Sequence, residues 1–465
     1  MIRVVMYVFN DARNDARVMR EAASLAAAGH EVTVMARAAN GAPLPDREVR
    51  DGVTIVRIPV PTRSRLLWQW LRAPWTLRRP WFDAVRGSLR RRRSPVESAA
   101  AVGWLAVLGL ASLPWLAIRL STHLVLSRAR PAAGSSDLDW LAWWRLVVLA
   151  WAGSAAAAAP PSDVQHGHDL SGLEAAGRAR RRLGGRLVYD SHEVFVEAGS
   201  AALRSRVIKS LLSRSERAWS RGAVALVTVN DSVARELGRR LRPARTVVVH
   251  NAPERWDPPA TPPDLIRAAT GIPAASPITL YHGGFSAHRG LEELAAAILE
   301  PRMDRVHAVY LGYGAMRQDL DRLAADARFG GRLHVLDAVP SGDLGRWIAS
   351  ADVGVMVIQP STLNHRLSTP NKLFECLAAG IPVVASDFPE MRSIVCDDPL
   401  GPLGEVCPPA DPAAIARAIR SIIERSPDER TILRARCLAA AHGRWNWETE
   451  VAGLIALYSD LEAAA

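Results

Sequence analysis

The stretch TPNKLFECLAAGIPVVASDFPE, Thr369 to Glu390, reads as one helix running directly into one buried strand. Ser368 or Thr369 offers a side-chain cap, Pro370 suits the first helical position, and Gly380 suits the stop. At 100° per residue Leu373, Phe374, Leu377 and Ala378 share an apolar face, while Lys372, Glu375, Cys376 and Ala379 share the other. That second face, one cation and one anion beside two small residues, leaves room for a ligand. Lys372 stands in the first turn, where a cation opposes the helix macrodipole at a cost of about 0.3–1 kcal/mol. A bound phosphate reverses that sign. Glu375 then offers two acceptor oxygens to a sugar diol. The competing reading is an exposed Lys–Glu pair at i,i+3, worth about 0.2–0.5 kcal/mol. Placement between an apolar helix face and the strand IPVVAS argues against it.

The same helix–strand rhythm extends in both directions. ITLYHGGFS, HAVYLGYG, LHVLDAV, VGVMVIQP and IPVVASDF are strands with helices between them, and they place a domain over 276–445. Upstream, IRVVMYVF, HEVTVMAR, VTIVRIPV, DVQHGHD, RLVYDSHE, VALVTVND and TVVVHNAPE are strands of a first domain over 1–252, with the helix ARVMREAASLAAAG after the first of them. Alternating βα units with apolar strands predict doubly wound parallel sheets. The Pro-rich run PERWDPPATPPD marks a linker, 253–275, and RWNWETEVAGLIALYSDL a closing helix within 446–465 that can return to the first domain. Ligands of such folds bind outside the carboxyl ends of the strands, so two such domains bracket a cleft.

With 465 residues and 49% apolar content, the chain has enough material for two cored domains, and disorder is excluded on composition. Its four cysteines, Cys376, Cys396, Cys407 and Cys437, show no metal-ligand spacing and fit a reducing compartment. A net charge of +11 calls for an anionic partner. Lysine occurs only at Lys209 and Lys372 among 58 basic residues, so background charge is written as arginine. A motif lysine then stands out as a compact point charge.

Residues 61–160 interrupt the first domain. They hold ten of the fifteen tryptophans, and 61–98 carries ten arginines against Asp83 and Glu97. An uncharged run, Ser98 to Ile118, and a second apolar run from Trp140 follow. The first is long enough to span a bilayer core of about 30 Å. The strands on either side must join one sheet, which excludes a single crossing and allows an even number of crossings, a re-entrant hairpin or an in-plane helical pair. Arg145, Pro114 and the scattered tryptophans favour an in-plane or re-entrant arrangement on an anionic cytoplasmic leaflet, peripheral or monotopic. A helical subdomain packed on itself is the alternative.

The stretch Lys372 to Pro382 resembles the signature of retaining glycosyltransferases of family 4, whose GT-B fold has two Rossmann-like domains facing a cleft. The resemblance covers Met1 to Pro61 and His166 to the C-terminus. It implies that the second domain binds a nucleotide-diphosphate sugar, with the diphosphate at the helix carrying Lys372 and the ribose on Glu375. It also assigns Gly283, Gly284 and Arg289 of YHGGFSAHRG to a diphosphate loop, and Gly312 and Gly314 of LGYG to the base. In the first domain His192 of YDSHE resembles the family histidine that lines the acceptor side. Glu193 and Asp169 are secondary catalytic candidates, and Arg17 and His168 belong to the acceptor side, with Arg17 at the cleft mouth. One departure is plain: Leu367 stands where many members carry a first glutamate. The DLD triplets at Asp137 and Asp319 follow no clear strand, so no catalytic metal is expected, and no cofactor beyond the donor substrate.

The implied activity is transfer of a sugar, with retention, to an acceptor that is lipid-linked or part of a cell-envelope glycan, at the cytoplasmic face of the plasma membrane. Two alternatives share the fold: a sugar-nucleotide epimerase, which has no need of a membrane element, and a catalytically silent binding subunit, which Leu367 favours. A nucleic-acid partner is not expected, because the arginines cluster beside apolar helices and no such motif occurs.

Overall fold

A computed structural model of the chain describes residues 1–13, 15–38, 44–72, 137–259, 261 and 263–464. The Arg-rich segment beyond residue 72 and the apolar run Ser98 to Ile118 lie outside the described residues.

Two sheets organise the structure. The first contains β1 (Arg3–Val8), β2 (Glu31–Arg37), β3 (Arg47–Arg50), β4 (Val53–Ile58), β5 (Val164–His168), β6 (Arg186–Ser191), β7 (Ala223–Thr228) and β8 (Thr246–Val248), in the order β3-β4-β2-β1-β5-β6-β7-β8. All its neighbours are parallel except the edge pair β3–β4, a hairpin around Asp51 and Gly52 that the apolar pattern did not reveal. Its strand REVR is polar and half exposed, as an edge strand can be. The second sheet is wholly parallel: β9 (Ile278–Gly284), β10 (His307–Tyr313), β11 (Leu333–Asp337), β12 (Val353–Met356), β13 (Val383–Ser386) and β14 (Gly404–Cys407), ordered β11-β10-β9-β12-β13-β14. The strand β14, GEVC, is another short strand without an apolar run to announce it.

Helices cover both faces of the first sheet. On one face Leu170, Leu173 and Tyr189 pack with Trp140, Trp144 and Trp151 of the continuous helical stretch Asp137–Ala158, which contains a π-helical turn at Trp144–Val148. That stretch is long and apolar enough to cross a membrane, and it buries one side, Trp151 completely, in the core of the first sheet. On the other face lie the helix Ala16–Ala27 and the C-terminal helix Ala452–Ala463, whose Leu454, Leu457 and Tyr458 pack beside Val4, Met6 and Val164. Trp447 donates its indole N–H to Ser24 Oγ at 3.0 Å, which anchors that return. The Pro-rich passage after β8 is not wholly irregular. A short helix, Leu265–Thr270, is capped by Asp264 and stopped by Gly271 with φ +72°.

Candidate functional site

Strands β6 and β9 end facing one cavity of about 1040 Å³, lined from the first sheet by Arg17, His192 and Glu193 and from the second by His288, Arg289, His365 and Thr369 to Asn371. The cavity therefore lies where doubly wound sheets place ligands.

On the first side, Asp190 near the end of β6 meets His192, the residue just after that strand. Asp190 is fully buried and shared by three cations or donors: Arg17 Nη2 at 3.3 Å, His168 Nδ1 at 3.1 Å and His192 Nε2 at 3.2 Å. His192 is held from its other side by Asp169, whose Oδ1 accepts the His192 amide at 3.1 Å and whose Oδ2 lies 3.4 Å from Nδ1. Asp169 adopts φ +53°, a left-handed conformation that a short polar side chain tolerates. Burial alone would disfavour the imidazolium. The charges of Asp169 and Asp190 overcome it and raise the His192 pKa to about 10. The cleft floor thus presents a cation flanked by carboxylates. Glu193 next to it accepts from Asn364 Nδ2 at 2.9 Å, and burial together with Asp169 pushes its pKa up to about 7.

Arg17 and His168 sit deeper than the sequence suggested. Arg17 is 5% exposed and spends its guanidinium on Asp190, on Glu21 Oε1 at 3.0 Å and on the Val249 carbonyl at 2.6 Å, so it is a buried tether beneath the cavity and not a free cation at its mouth. His168 does not line the cavity. It stands behind His192, joined through Asp190.

On the second side, the helix Asn371–Ala378 begins one residue later than Pro370 suggested. Pro370 is its N-cap and no side chain caps it. Thr369 is engaged elsewhere, since its Oγ1 accepts from Asn230 Nδ2 at 2.6 Å. Cys376 and Ala379 are buried, so of that helix face only Lys372 and Glu375 keep partial exposure; neither they nor Gly283 and Gly284 line the cavity, which this segment reaches through Ser368 to Asn371. Lys372 Nζ lies 3.5 Å over the Tyr281 ring and beside Gly283, which has φ +105°. Burial and the charge of Arg289 lower the Lys372 pKa to about 7. Glu375 Oε2 lies 2.8 Å from His282 Nε2. Gly284 contributes its carbonyl to Tyr281 Oη at 2.8 Å.

Gly312 and Gly314 do not line the cavity. A Cβ on Gly312 would stand 1.9 Å from the Gly283 carbonyl oxygen, and one on Gly314, which has φ +151°, 2.2 Å from that of Phe285, so close backbone approach accounts for glycine at both. Leu367 likewise packs against the apolar cluster of the first sheet. The DLD aspartates fall in helical first turns, where Asp319 pairs with Arg322 and Asp137 with Arg204.

Several contributors escaped the sequence reading: Asp190, Asn364, His282 and Asn230. Asp190 had a signal, the i,i+2 spacing to His192. The others are paired across elements distant in sequence, and Asn230 and Asn364 bind between the two halves.

Two parallel sheets closing on one cleft decide the architecture. The fold is GT-B. Over 100% of both chains it superposes on sucrose-phosphate synthase from Thermosynechococcus elongatus with a TM-score of 0.66 at 18% identity. It also superposes on Anabaena Alr3699/HepE, solved in complex with UDP and glucose, with a TM-score of 0.61 at 13% identity over 99% of this chain and 100% of that one. Within this GT-B chain residues 276–425, β9 through the helix Pro412–Ile423, match the family model "Glycosyl transferases group 1". In sequence it is 30% identical over 204 residues to a D-inositol 3-phosphate glycosyltransferase of Xylanimonas cellulosilytica, covering 43% of this chain and 46% of that protein. It is 26% identical over 234 residues to a phosphatidyl-myo-inositol mannosyltransferase of Mycobacterium tuberculosis, covering 46% and 58% respectively. The matched part thus spans about half the length of these curated relatives.

Proposed function

We propose that this GT-B chain is a glycosyltransferase that moves a sugar, with retention, from a nucleotide-diphosphate donor to a lipid-linked or cell-envelope glycan acceptor. The observation that carries the reading is the pair Lys372 and Glu375 on the helix that opens toward β9. Lys372 is partly discharged by burial and by Arg289, and a diphosphate between the two cations would restore its charge at a helix N-terminus. Glu375, oriented by His282, is one turn further on and fits the donor ribose. The match of residues 276–425 to a glycosyltransferase family supports the same assignment.

In this reading the sugar–phosphate bond breaks with its electron pair going to the diphosphate, whose charge Arg289 and Lys372 meet. The acceptor hydroxyl oxygen bonds to the anomeric carbon. His192, doubly held and cationic, orients groups on the acceptor side, and Glu193, with its pKa near 7, is suited to take the hydroxyl proton. Closure of the cleft would exclude water from the glycosyl cation-like state. We assign the acceptor to the membrane because residues 61–160 combine arginines with tryptophan-rich apolar runs, which suits a peripheral or monotopic placement on the cytoplasmic leaflet.

The test is a panel of nucleotide sugars incubated with the purified chain and membrane extract, scored for transfer and for hydrolysis, with Glu375→Ala alongside. Turnover of one donor, lost in Glu375→Ala, supports the reading. No turnover of any donor, or a variant equal to wild type, defeats it.

A further inference from the structure

Behind the cleft, on the face of the first sheet covered by the helix Ala16–Ala27 and the C-terminal helix, four buried ligating side chains converge. His166 and His168 alternate along β5 and so point the same way, and Asp190 is the register partner of His168 on β6. Glu21 descends from the helix above. Their exposures are 0%, 1%, 0% and 0%, and one ligand atom from each lies within 4.8 Å of all the others.

The hydrogen bonding shows which atoms are spare. His166 Nδ1 is 2.7 Å from Tyr458 Oη and His168 Nδ1 is 3.1 Å from Asp190 Oδ2. Both rings therefore commit Nδ1 to an outer partner, and both leave Nε2 buried with none. The rings stack with centroids 4.5 Å apart and 16° between planes. Neither Glu21 oxygen takes part in a well-formed hydrogen bond, although Arg17 Nη2 approaches Oε1 to 3.0 Å. Buried polar atoms of folded chains almost always find partners, so three spare ones at one place, His166 Nε2, His168 Nε2 and Glu21 Oε2, call for an occupant.

We propose that this cluster is a buried site for one divalent transition-metal ion, bound by His166 Nε2, His168 Nε2 and the Glu21 carboxylate. Imidazole and carboxylate donors suit an ion such as Zn2+. A histidine whose far nitrogen is fixed by a carboxylate, as Asp190 fixes His168, is the usual outer layer of such sites. The ion would tie β5 to the helix Ala16–Ala27 and, through Tyr458, to the C-terminal helix, one layer behind His192. It lies outside the cleft, and the inference stands whether or not the chain is a glycosyltransferase.

The test uses the full chain and reads metal directly. Elemental analysis of the purified protein should find about one equivalent of a transition metal. After chelation, Zn2+ should rebind one to one and raise the melting temperature, and Co2+ should give visible d–d absorption. Glu21→Gln and His168→Gln should each weaken Zn2+ binding at least about tenfold. His334→Gln, which breaks the half-buried His307–His334 pair, should leave it unchanged. Absence of stoichiometric metal together with no Co2+ band and no thermal shift overturns the proposal and leaves ordered water as the occupant. Binding undiminished in both ligand variants, or lost in His334→Gln, also overturns it. If the ligand variants do not fold, the stoichiometry and Co2+ spectrum of the wild type decide alone.

Discussion

His282 Nε2 and Glu375 Oε2 stand 2.8 Å apart, which joins the end of β9 to the helix Asn371–Ala378. Burial works against the Glu375 charge, but the His282 bond and the charges of Lys372 and Arg20 prevail and hold the carboxyl below its ordinary range. The carboxylate is therefore ionised and purely an acceptor. Glu375→Gln keeps the shape and removes the charge. Affinity for the nucleoside diphosphate that binds wild type most tightly should fall about tenfold, the worth of one charge-assisted hydrogen bond. Calorimetric titration that finds equal affinities removes Glu375 from the binding site.

Lys372, with a pKa of about 7 between a burying environment and Arg289, should take up a proton when a diphosphate arrives. The charged amine is the form that binds, so affinity should decline as pH rises above 7. Titrations at pH 8 in two buffers of different ionisation heat should give different apparent enthalpies in wild type and equal ones in Lys372→Met. Buffer-independent wild-type heats would show that the lysine does not meet the anion.

Gly290 has φ +78°, and a Cβ there would stand 2.2 Å from the Val357 carbonyl oxygen. Both the backbone and the close approach exclude a side chain. Gly290→Ala should cost about 2–4 kcal/mol in denaturant unfolding. A cost below about 1 kcal/mol would mean that the Arg289 loop adjusts freely.

His250 connects the two halves through carboxylates: Nδ1 is 2.9 Å from Glu450 Oε2, and Nε2 is 3.8 Å from Glu390 Oε1. Burial disfavours its charge, yet the nearby carboxylates of Glu390 and Glu450 raise its pKa to about 9. A raised folded-state pKa means that the contribution is complete below the unfolded value of about 6.5 and is lost as pH climbs through 9. Melting temperature should therefore fall between pH 7 and 10, and His250→Gln should flatten that slope. An unchanged slope would place the titration elsewhere.

The helix–strand rhythm was legible because apolar periodicity is local. Every strand read from an apolar run is present, and the strands that escaped, REVR and GEVC, are short and lack such a run. The location of the candidate site at strand ends was legible for the same reason. Individual roles were less so: Gly312 and Gly314 looked like ligand-facing glycines until the carbonyls of Gly283 and Phe285 were seen against them.

What the sequence determined by itself was the pair of wound sheets, the helix presenting Lys372 and Glu375, and the chemistry available at the cleft. Tertiary structure alone decided how that chemistry is charged and tethered. Arg17 and Asp190 are 173 residues apart, and Asn364 and Glu193 171, yet each pair is in hydrogen-bond contact. The charges of Asp169 and Asp190 raise His192 to about 10 against its burial, and burial together with Arg289 lowers Lys372 to about 7. Proton affinity depends on what surrounds a group in space, and a linear spacing rule carries that only when the neighbours share one strand or one helix.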